Sequence, residues 1–354
     1  MTETRIMAPS NIKVNPIGIA VIALVTIVVL YAGSSMKMFR SADTVNLKEL
    51  LSVGIDVARK GGERVRIIRE SSNMDEQSKG LTQEGAQELK TNGDVQSHVQ
   101  MFYGIKNAFP SVDVKSEEHD PQGIDTKSVP KANKYLTEIQ SLDATVEVPV
   151  KDITIWIDPL DATQEYTENL RQYVTTMVCV AVKGVPTIGV IYKPFLDKTF
   201  WGFIGHGHSA NIVTPESFSS DKTRIIVSRS HSGQVEQVAK SAMGDAIEII
   251  PAGGAGFKTL EVISGNASAY VHVTRIKKWD LCAGNAIINS IDVDHKDGVE
   301  GKMTTLEGRL IDYSGAGSPI NDDGLLATIH EHEKFLTILK PAFESMKKEQ
   351  TAQA

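Results

Sequence analysis

An α/β fold is predicted from three features of the chain. From residue 224 onward, strand-like apolar runs alternate with helical ones. Two amphipathic helical stretches precede a group of strand-like runs. The run "ITIWID", residues 153 to 158, places Ile153, Ile155 and Ile157 at the period of two of a sheet and then stops at an acid. With 354 residues, 41% of them hydrophobic, the chain can bury a large core in one large domain or two coupled ones.

The first helix is predicted from Asn46 to about Ser71. Leu47, Leu50, Leu51, Ile55, Ala58, Val65 and Ile68 recur there at helical spacing. A second runs from about Val95 to Ala108 and ends before Pro110. Then come five strands, "VDVKS", "ITIWID", "MVCVAVKG", "TIGVIYKP" and "TFWGFIG". The segment Pro121 to Val150 has no clear period and reads as a surface insertion. Beyond it, "RIIVS", "IEIIPAGG" and "AYVHVT" read as strands, each followed by a helix, over 234–243, 256–264 and 279–290.

The N-terminus carries a different signal. Ile17 to Gly33 is uncharged, near the short end of what spans a bilayer. Its apolar core exceeds the ~7–15 residues of a signal peptide, so an uncleaved anchor is expected over 17–33, after a tail at 1–16 and before a stem at 34–45. Arg5 and Lys13 before it nearly balance Lys37 and Arg40 after it, so charge alone does not orient it. The formal net charge of −7 is scattered, and no basic run argues for a nucleic-acid partner. Cys179 and Cys282 are the only cysteines. Both lie in apolar runs and are expected to be buried thiols; the count excludes a disulfide scaffold or a cysteine-rich zinc site. Asn266-Ala267-Ser268 is a glycosylation sequon, a pattern that chance supplies in a chain this long.

The chemistry centres on acids at the ends of elements. Asp158 closes its strand and Pro159 pre-sets a turn. Asp161 stands where a helix cap would be, with Gln164 three residues on as in a capping box. The competing reading makes Asp158, Asp161 and the Leu160 carbonyl ligands of hard divalent cations, with helix N–H groups offered to a phosphate. Glu117 and Glu118 follow a short strand and one of them would complete such a site. Asp94 and Asp280 head helices and are good caps taken singly. "AGGAGFKT" lacks the Gly-Lys-Thr ending of a phosphate loop. Asp158 and Asp161 are three apart, not the two of aspartyl-phosphate phosphatases. Asp292-Val293-Asp294 matches the metal motif of anchored glycosyltransferases, but no strand leads into it.

Asp158-Pro159-Leu160-Asp161-Ala162-Thr163, with Trp279-Asp280 and Glu117-Glu118, resembles the magnesium-dependent, lithium-sensitive inositol monophosphatase superfamily. "DPLDATQEYTE", "SRSH" and "GAGFK" bring it nearest to the bisphosphate nucleotidase branch, over residues 46 to about 345. The resemblance implies a layered α/β/α/β/α sandwich, with a metal-site half at 46–215, a nucleotide-contacting half at 216–345 and a tail at 346–354. It implies two or three Mg2+ held by Glu117, Asp158, the Leu160 carbonyl, Asp161 and Asp280, and a catalytic pair, Asp94 and Thr163. It also implies substrate contacts at Ala162, Thr163, Ser228, His231, Gly254 and Lys258. Ala162 replaces the commoner glycine and is expected to start a helix without strain. The implied reaction is hydrolysis of the 3′-phosphate of adenosine 3′,5′-bisphosphate, a by-product of lumenal sulfation. Anchor and resemblance together imply a single-pass type II Golgi membrane protein with a lumenal catalytic domain. The alternatives are an inositol monophosphatase, a Golgi glycosyltransferase using Asp292 and Asp294, and a membrane-tethered binding module.

Overall fold

The computed structural model of the chain describes residues 43–71, 73–81, 85, 87–119, 126–215, 222–230, 234–291 and 301–353, with 15, 20, 21 and 23–28. Met1–Thr44 and Val45–Ala354 are separate units. In the first, residues 23–28 are helical with exposed side chains. Among the described residues no helix is long and apolar enough to cross a membrane. Most of the stretch expected to be an anchor lies outside them.

The second unit begins with α1 (Leu47–Ser71), the hairpin β1 (Gln77–Leu81) and β2 (Gln87–Lys90), and α2 (Asn92–Ala108). Six strands follow: β3 (Asp113–Ser116), β4 (Ile153–Asp161), β5 (Thr175–Val182), β6 (Val185–Lys193), β7 (Lys198–Phe203) and β8 (Gly207–His208). A short helix, α3 (Thr163–Thr167), separates β4 from β5. The strands form one sheet in the order β8-β7-β6-β5-β4-β3, with only β3 and β4 parallel. The C-terminal half comprises β9 (Thr223–Ser228), α4 (Val235–Met243), β10 (Ile247–Ala252), α5 (Ala255–Ile263), β11 (Ala269–His272), β12 (Ile276–Lys277) and α6 (Lys278–Ser290). It closes with β13 (Lys302–Thr304), β14 (Ile320–Asn321), β15 (Leu325–Thr328) and α7 (His332–Gln353). Its sheet runs β10-β9-β11-β15-β13.

Side-chain parity assigns the layers. Ile153, Ile155 and Ile157 of β4, with Val178 and Val180 of β5, pack under α1 and α2. Trp156, Met177, Cys179 and Ala181 point the other way, into a core with Leu260 of α5 and Leu281, Ala286 and Ile288 of α6. Ile226, Tyr270, Leu325 and Ala327 of the second sheet close that core from beyond. Ile225, Val227, Val271 and Leu326 turn outward onto α4 and α7. The result is the α/β/α/β/α stack, with α5 and α6 as the middle layer. Because α6 lies between two sheets it is apolar on most of its circumference. Gly189 of β6 lets it sit close, since a Cβ there would be 2.1 Å from the Ala283 carbonyl oxygen.

Three expectations need correction. Cys179 and Cys282 form a disulfide from β5 to α6, across the first sheet's inner face. Their apolar runs signalled burial but not that sheet and helix would face each other there. Second, 121–150 is not merely a surface insertion: Val129, Ala132, Ile139 and Ala144 are buried, and three of these join the α1–α2 core. Scattered singly, they gave no period to read. Third, Met346 is buried against the α7 layer, so the helix packs beyond residue 345. Because the disulfide closes a separation of 103 residues, replacing both cysteines with alanine is expected to lower unfolding stability by about 2–5 kcal/mol. Denaturant unfolding without reductant measures it.

Candidate active site

A strand that alternates sides would put Asp158 and Asp161 on opposite faces. The ladder shows how they come together. Asp158 pairs with Met177 and Asp161 with Thr175, so β4 spends three residues where β5 spends two. This bulge inverts the parity and turns both carboxylates to the inner side, the side of Trp156 and α6. Pro159, which has no N–H to give a ladder, sits within the bulge.

Asp161 does not cap the helix that follows it. It is the last residue of β4, and the residue before α3 is Ala162 at φ 70° and ψ 47°. That conformation is left-handed and costs an alanine roughly 1 kcal/mol relative to glycine, so the expectation of an unstrained start is also corrected. Asp161 instead meets a remote helix: Oδ1 accepts from Ala255 N at 3.0 Å, and Oδ2 accepts from Gly256 N at 2.9 Å and Thr175 Oγ1 at 2.9 Å. It thus caps the start of α5 from 94 residues upstream. Gly254 permits the approach, because a Cβ there would stand 2.9 Å from Asp161 Oδ2.

Asp94 is in the first turn of α2, but the N-cap is Thr91. Thr91 donates to Asp94 Oδ2 through its backbone N at 2.7 Å and its hydroxyl at 2.6 Å. The other oxygen faces Thr163, accepting from its Oγ1 at 3.0 Å. Thr163 Oγ1 also lies 3.1 Å from the Leu160 carbonyl oxygen. Glu117 follows β3, its N–H held by Ile157 O at 3.3 Å, and Asp280 sits in the first turn of α6, where Oδ2 accepts from Lys277 N at 3.2 Å.

Four chain segments therefore deliver acids to one place. A cleft of about 380 Å3 is lined by Glu117, Asp158, Leu160, Asp161, Ala162, Thr163 and Asp280, with Ser228, Gly254 and Lys258. Asp94 is buried behind Thr163. His231, Asp292 and Asp294 lie outside the described residues. Burial, then Glu117, Asp161, Asp280 and Asp94 in turn, pushes the Asp158 carboxyl well above the usual carboxylate range. Asp280 is raised in the same way, first by burial, then by Glu117 and Asp161. Burial also raises Asp161 despite Lys258 and its hydrogen bonds, and burial raises Glu117 despite Lys79. The Asp94 carboxyl is pushed up to about 7 by burial, with Glu117 and Glu118 adding and the Thr91 bond opposing.

Such mutual repulsion calls for positive charge. Lys79 on β1 provides some, contacting Glu117 at 3.1 Å and Glu118 more closely, while Lys90 on β2 holds Glu118 at 2.6 Å. Glu118 is thereby consumed as the anchor of the hairpin, which leaves Glu117 as the acid of that pair facing the cleft. Among the described residues no three His, Cys, Asp or Glu side chains close into a ready metal cage. The donors are nonetheless hard oxygens in a buried, electronegative cleft open on one side, which fits divalent cations such as Mg2+. Lys258 is 3% exposed, donates to Gly254 O at 2.7 Å and lies 5.1 Å over the Tyr270 ring. Burial lowers its pKa against the pull of Asp161, Glu165 and Asp280.

The raised carboxyls set a pH dependence. Each folded-state pKa lies above its unfolded value, so their contribution is full below about pH 4. It is lost as pH rises through the folded values, about 7 for Asp94. In chelator, the melting temperature is expected to be lower at pH 8 than at pH 5. Magnesium is expected to raise it more at pH 8, because cations compete with protons for the same oxygens. Scanning calorimetry at both pH values with and without Mg2+ checks this.

Sequence reasoning missed Thr91, Thr175, Lys79, Glu165 and Arg229. Thr91 was legible as a Thr-x-x-Asp cap. Arg229 ties "SRSH" to "DATQEYTE" through Glu165 at 3.4 Å and Glu168 at 2.6 Å. Opposite charges in the two motifs were the signal. Nothing local marked Lys79 or Thr175, whose partners are remote.

The pattern of the inositol monophosphatase family matches residues 46–339. Inositol monophosphatase 3 of Danio rerio is 46% identical over 357 residues, covering 96% of this chain and 100% of that protein. The Golgi-resident adenosine 3′,5′-bisphosphate 3′-phosphatase of Homo sapiens is 42% identical over 367 residues, covering 96% and 99%. In fold, the extragenic suppressor protein suhB from Bartonella henselae aligns with a TM-score of 0.61 at 18% identity, covering 83% of this chain and 98% of that one. The chain belongs to the inositol monophosphatase family.

Proposed function

We propose that this chain is a magnesium-dependent phosphomonoesterase that removes the 3′-phosphate of adenosine 3′,5′-bisphosphate, releasing AMP and phosphate. The observation that carries the reading is the convergence of Glu117, Asp158, Asp161 and Asp280 on one cleft beside the Asp94–Thr163 hydrogen bond. These four acids and the Leu160 carbonyl would hold the divalent cations. Bound there, the cations would neutralise phosphate charge and supply a more acidic water. Thr163 has one hydroxyl proton and two acceptors, Asp94 Oδ1 and Leu160 O. It can therefore pass a proton to Asp94 while its oxygen accepts one from an attacking water. Burial gives Asp94 the proton affinity a base needs near neutral pH. Thr91 fixes the carboxylate by bonding its other oxygen. Lys258, which also lines the cleft, would supply charge for the nucleotide.

A panel of adenosine 3′,5′-bisphosphate and inositol phosphates, with and without lithium, tests the proposal. It predicts magnesium-dependent, lithium-sensitive release with preference for the nucleotide. Preference for inositol phosphates would favour the second reading, which the name of the Danio rerio relative supports.

The compartment is part of the same proposal: a Golgi membrane protein with residues 35 to 354 in the lumen. The relative from Homo sapiens is named Golgi-resident. The Cys179–Cys282 disulfide suits an oxidising compartment, and the uncharged stretch 17–33 would be the single-pass type II anchor. Protease digestion of sealed vesicles tests it: protection of the large domain is expected, and its digestion would reverse the topology.

A further inference from the structure

One buried carboxylate in the cleft has no part in the proposed chemistry. Glu165, in the first turn of α3, lines the cleft yet is only 2% exposed. Its hydrogen bond is a long one, from Arg229 Nη1 at 3.4 Å, and Arg229 is held more closely by Glu168 at 2.6 Å. The backbone N–H of Glu165 also bonds the carboxylate, and since a carboxylate has about four acceptor sites, there is capacity left for one more donor. The carboxyl is also fixed in place. A Cβ on Gly253 would lie 2.4 Å from Glu165 Cδ, so only the bare backbone of Gly253 fits against it. The next residue, Gly254, presses likewise on Asp161 Oδ2. Glu165 thus stands one residue's width from a proposed metal ligand, in the same cleft as Lys258, whose charge acts on it.

We propose that Glu165 is a specificity-determining residue that accepts a hydrogen bond from a neutral O–H or N–H donor on the substrate's alcohol moiety. This rests on the nucleotide reading above. The donor adjacent to a 3′-phosphate is the ribose 2′-hydroxyl; the adenine amino group is the other source of the same chemistry. A carboxylate there also disfavours an ester with a second phosphate vicinal to the scissile one, through like-charge repulsion.

The test compares kcat/KM for adenosine 3′,5′-bisphosphate, its 2′-deoxy analogue and inosine 3′,5′-bisphosphate, in the wild type, Glu165→Ala and Glu168→Gln. Ratios between substrates within one variant cancel any loss of folded enzyme. The wild type is expected to prefer the first substrate over the 2′-deoxy analogue by about 10–100-fold, because the analogue leaves a buried acceptor unpaired. Glu165→Ala should bring that ratio within about threefold. Glu168→Gln, which loosens Arg229 from outside the cleft, should keep it. Loss of discrimination against inosine rather than the deoxy analogue in Glu165→Ala also supports the proposal and names the amino group as donor. Equal rates on all three substrates in the wild type would overturn it, as would a ratio unchanged in Glu165→Ala, which would make Glu165 only a clamp for Arg229. No phosphate release by the wild type from any of the three would instead overturn the nucleotide reading, and this inference with it.

Discussion

Asp158→Asn is expected to reduce magnesium-dependent phosphate release at least ~1,000-fold, the scale of losing several kcal/mol of transition-state charge stabilisation. The reasoning starts from placement. Asp158 is 1% exposed, and burial and four neighbouring acids all oppose its ionisation. The strongest influences on it are burial and four acids, so a divalent cation would supply the counter-charge. Asparagine keeps the shape and the carbonyl oxygen that accepts from Leu160 N at 3.1 Å, but removes the charge. The same substitution relieves repulsion in the ion-free protein, so its melting temperature in chelator is expected to equal or exceed that of the wild type. Losing activity while keeping stability separates a ligand from a structural residue. Initial rates across a magnesium titration, with calorimetry in chelator, measure both; unchanged turnover would remove Asp158 from the metal site.

Asp94→Asn should cost about 100–10,000-fold in kcat, the range of a removed general base. The asparagine oxygen can still accept from Thr91 N, and its NH2, in the place of Oδ1, can donate to Thr163 Oγ1, so the geometry of the α2 start is expected to survive. What it loses is the capacity to take the proton that Thr163 hands on. Because Asp94 does not line the cleft, Mn2+ affinity measured by titration should change far less than kcat. A parallel collapse of metal affinity would mean that Asp94 acts as a ligand or scaffold instead.

Much of this was legible in the chain. The periods of two and 3.6 gave α1, α2, β3–β7, β9–β11 and α4–α6, because each packs one face on a core; the hairpin β1–β2, the short strands β8 and β12–β15 and the C-terminal helix α7 were not read from the chain. The acids at element ends were legible as a set, although each was individually a good cap. In the fold, capping and site-building turn out not to compete. Asp94 bonds its own helix start while facing Thr163, and Asp161 caps α5 while facing the cleft. Three things escaped for physical reasons. The bulge at Asp158–Asp161 is a property of the pairing with β5, and spacing on one strand cannot show it. The left-handed Ala162 follows from that bulge, because the chain must leave the sheet and enter α3 at once. The disulfide needed knowledge that α6 lies across β5, a contact between residues 103 apart.

The central claim is that Glu117, Asp158, Asp161 and Asp280, brought from three parts of the chain, hold divalent cations in one cleft. Anomalous diffraction from crystals of the full phosphatase unit soaked in Mn2+ tests it most directly. Peaks bonded to oxygens of these four residues and the Leu160 carbonyl, with Lys79 withdrawn from Glu117, are the predicted result. A cleft without anomalous density at saturating Mn2+, in protein that still hydrolyses its substrate, would contradict it.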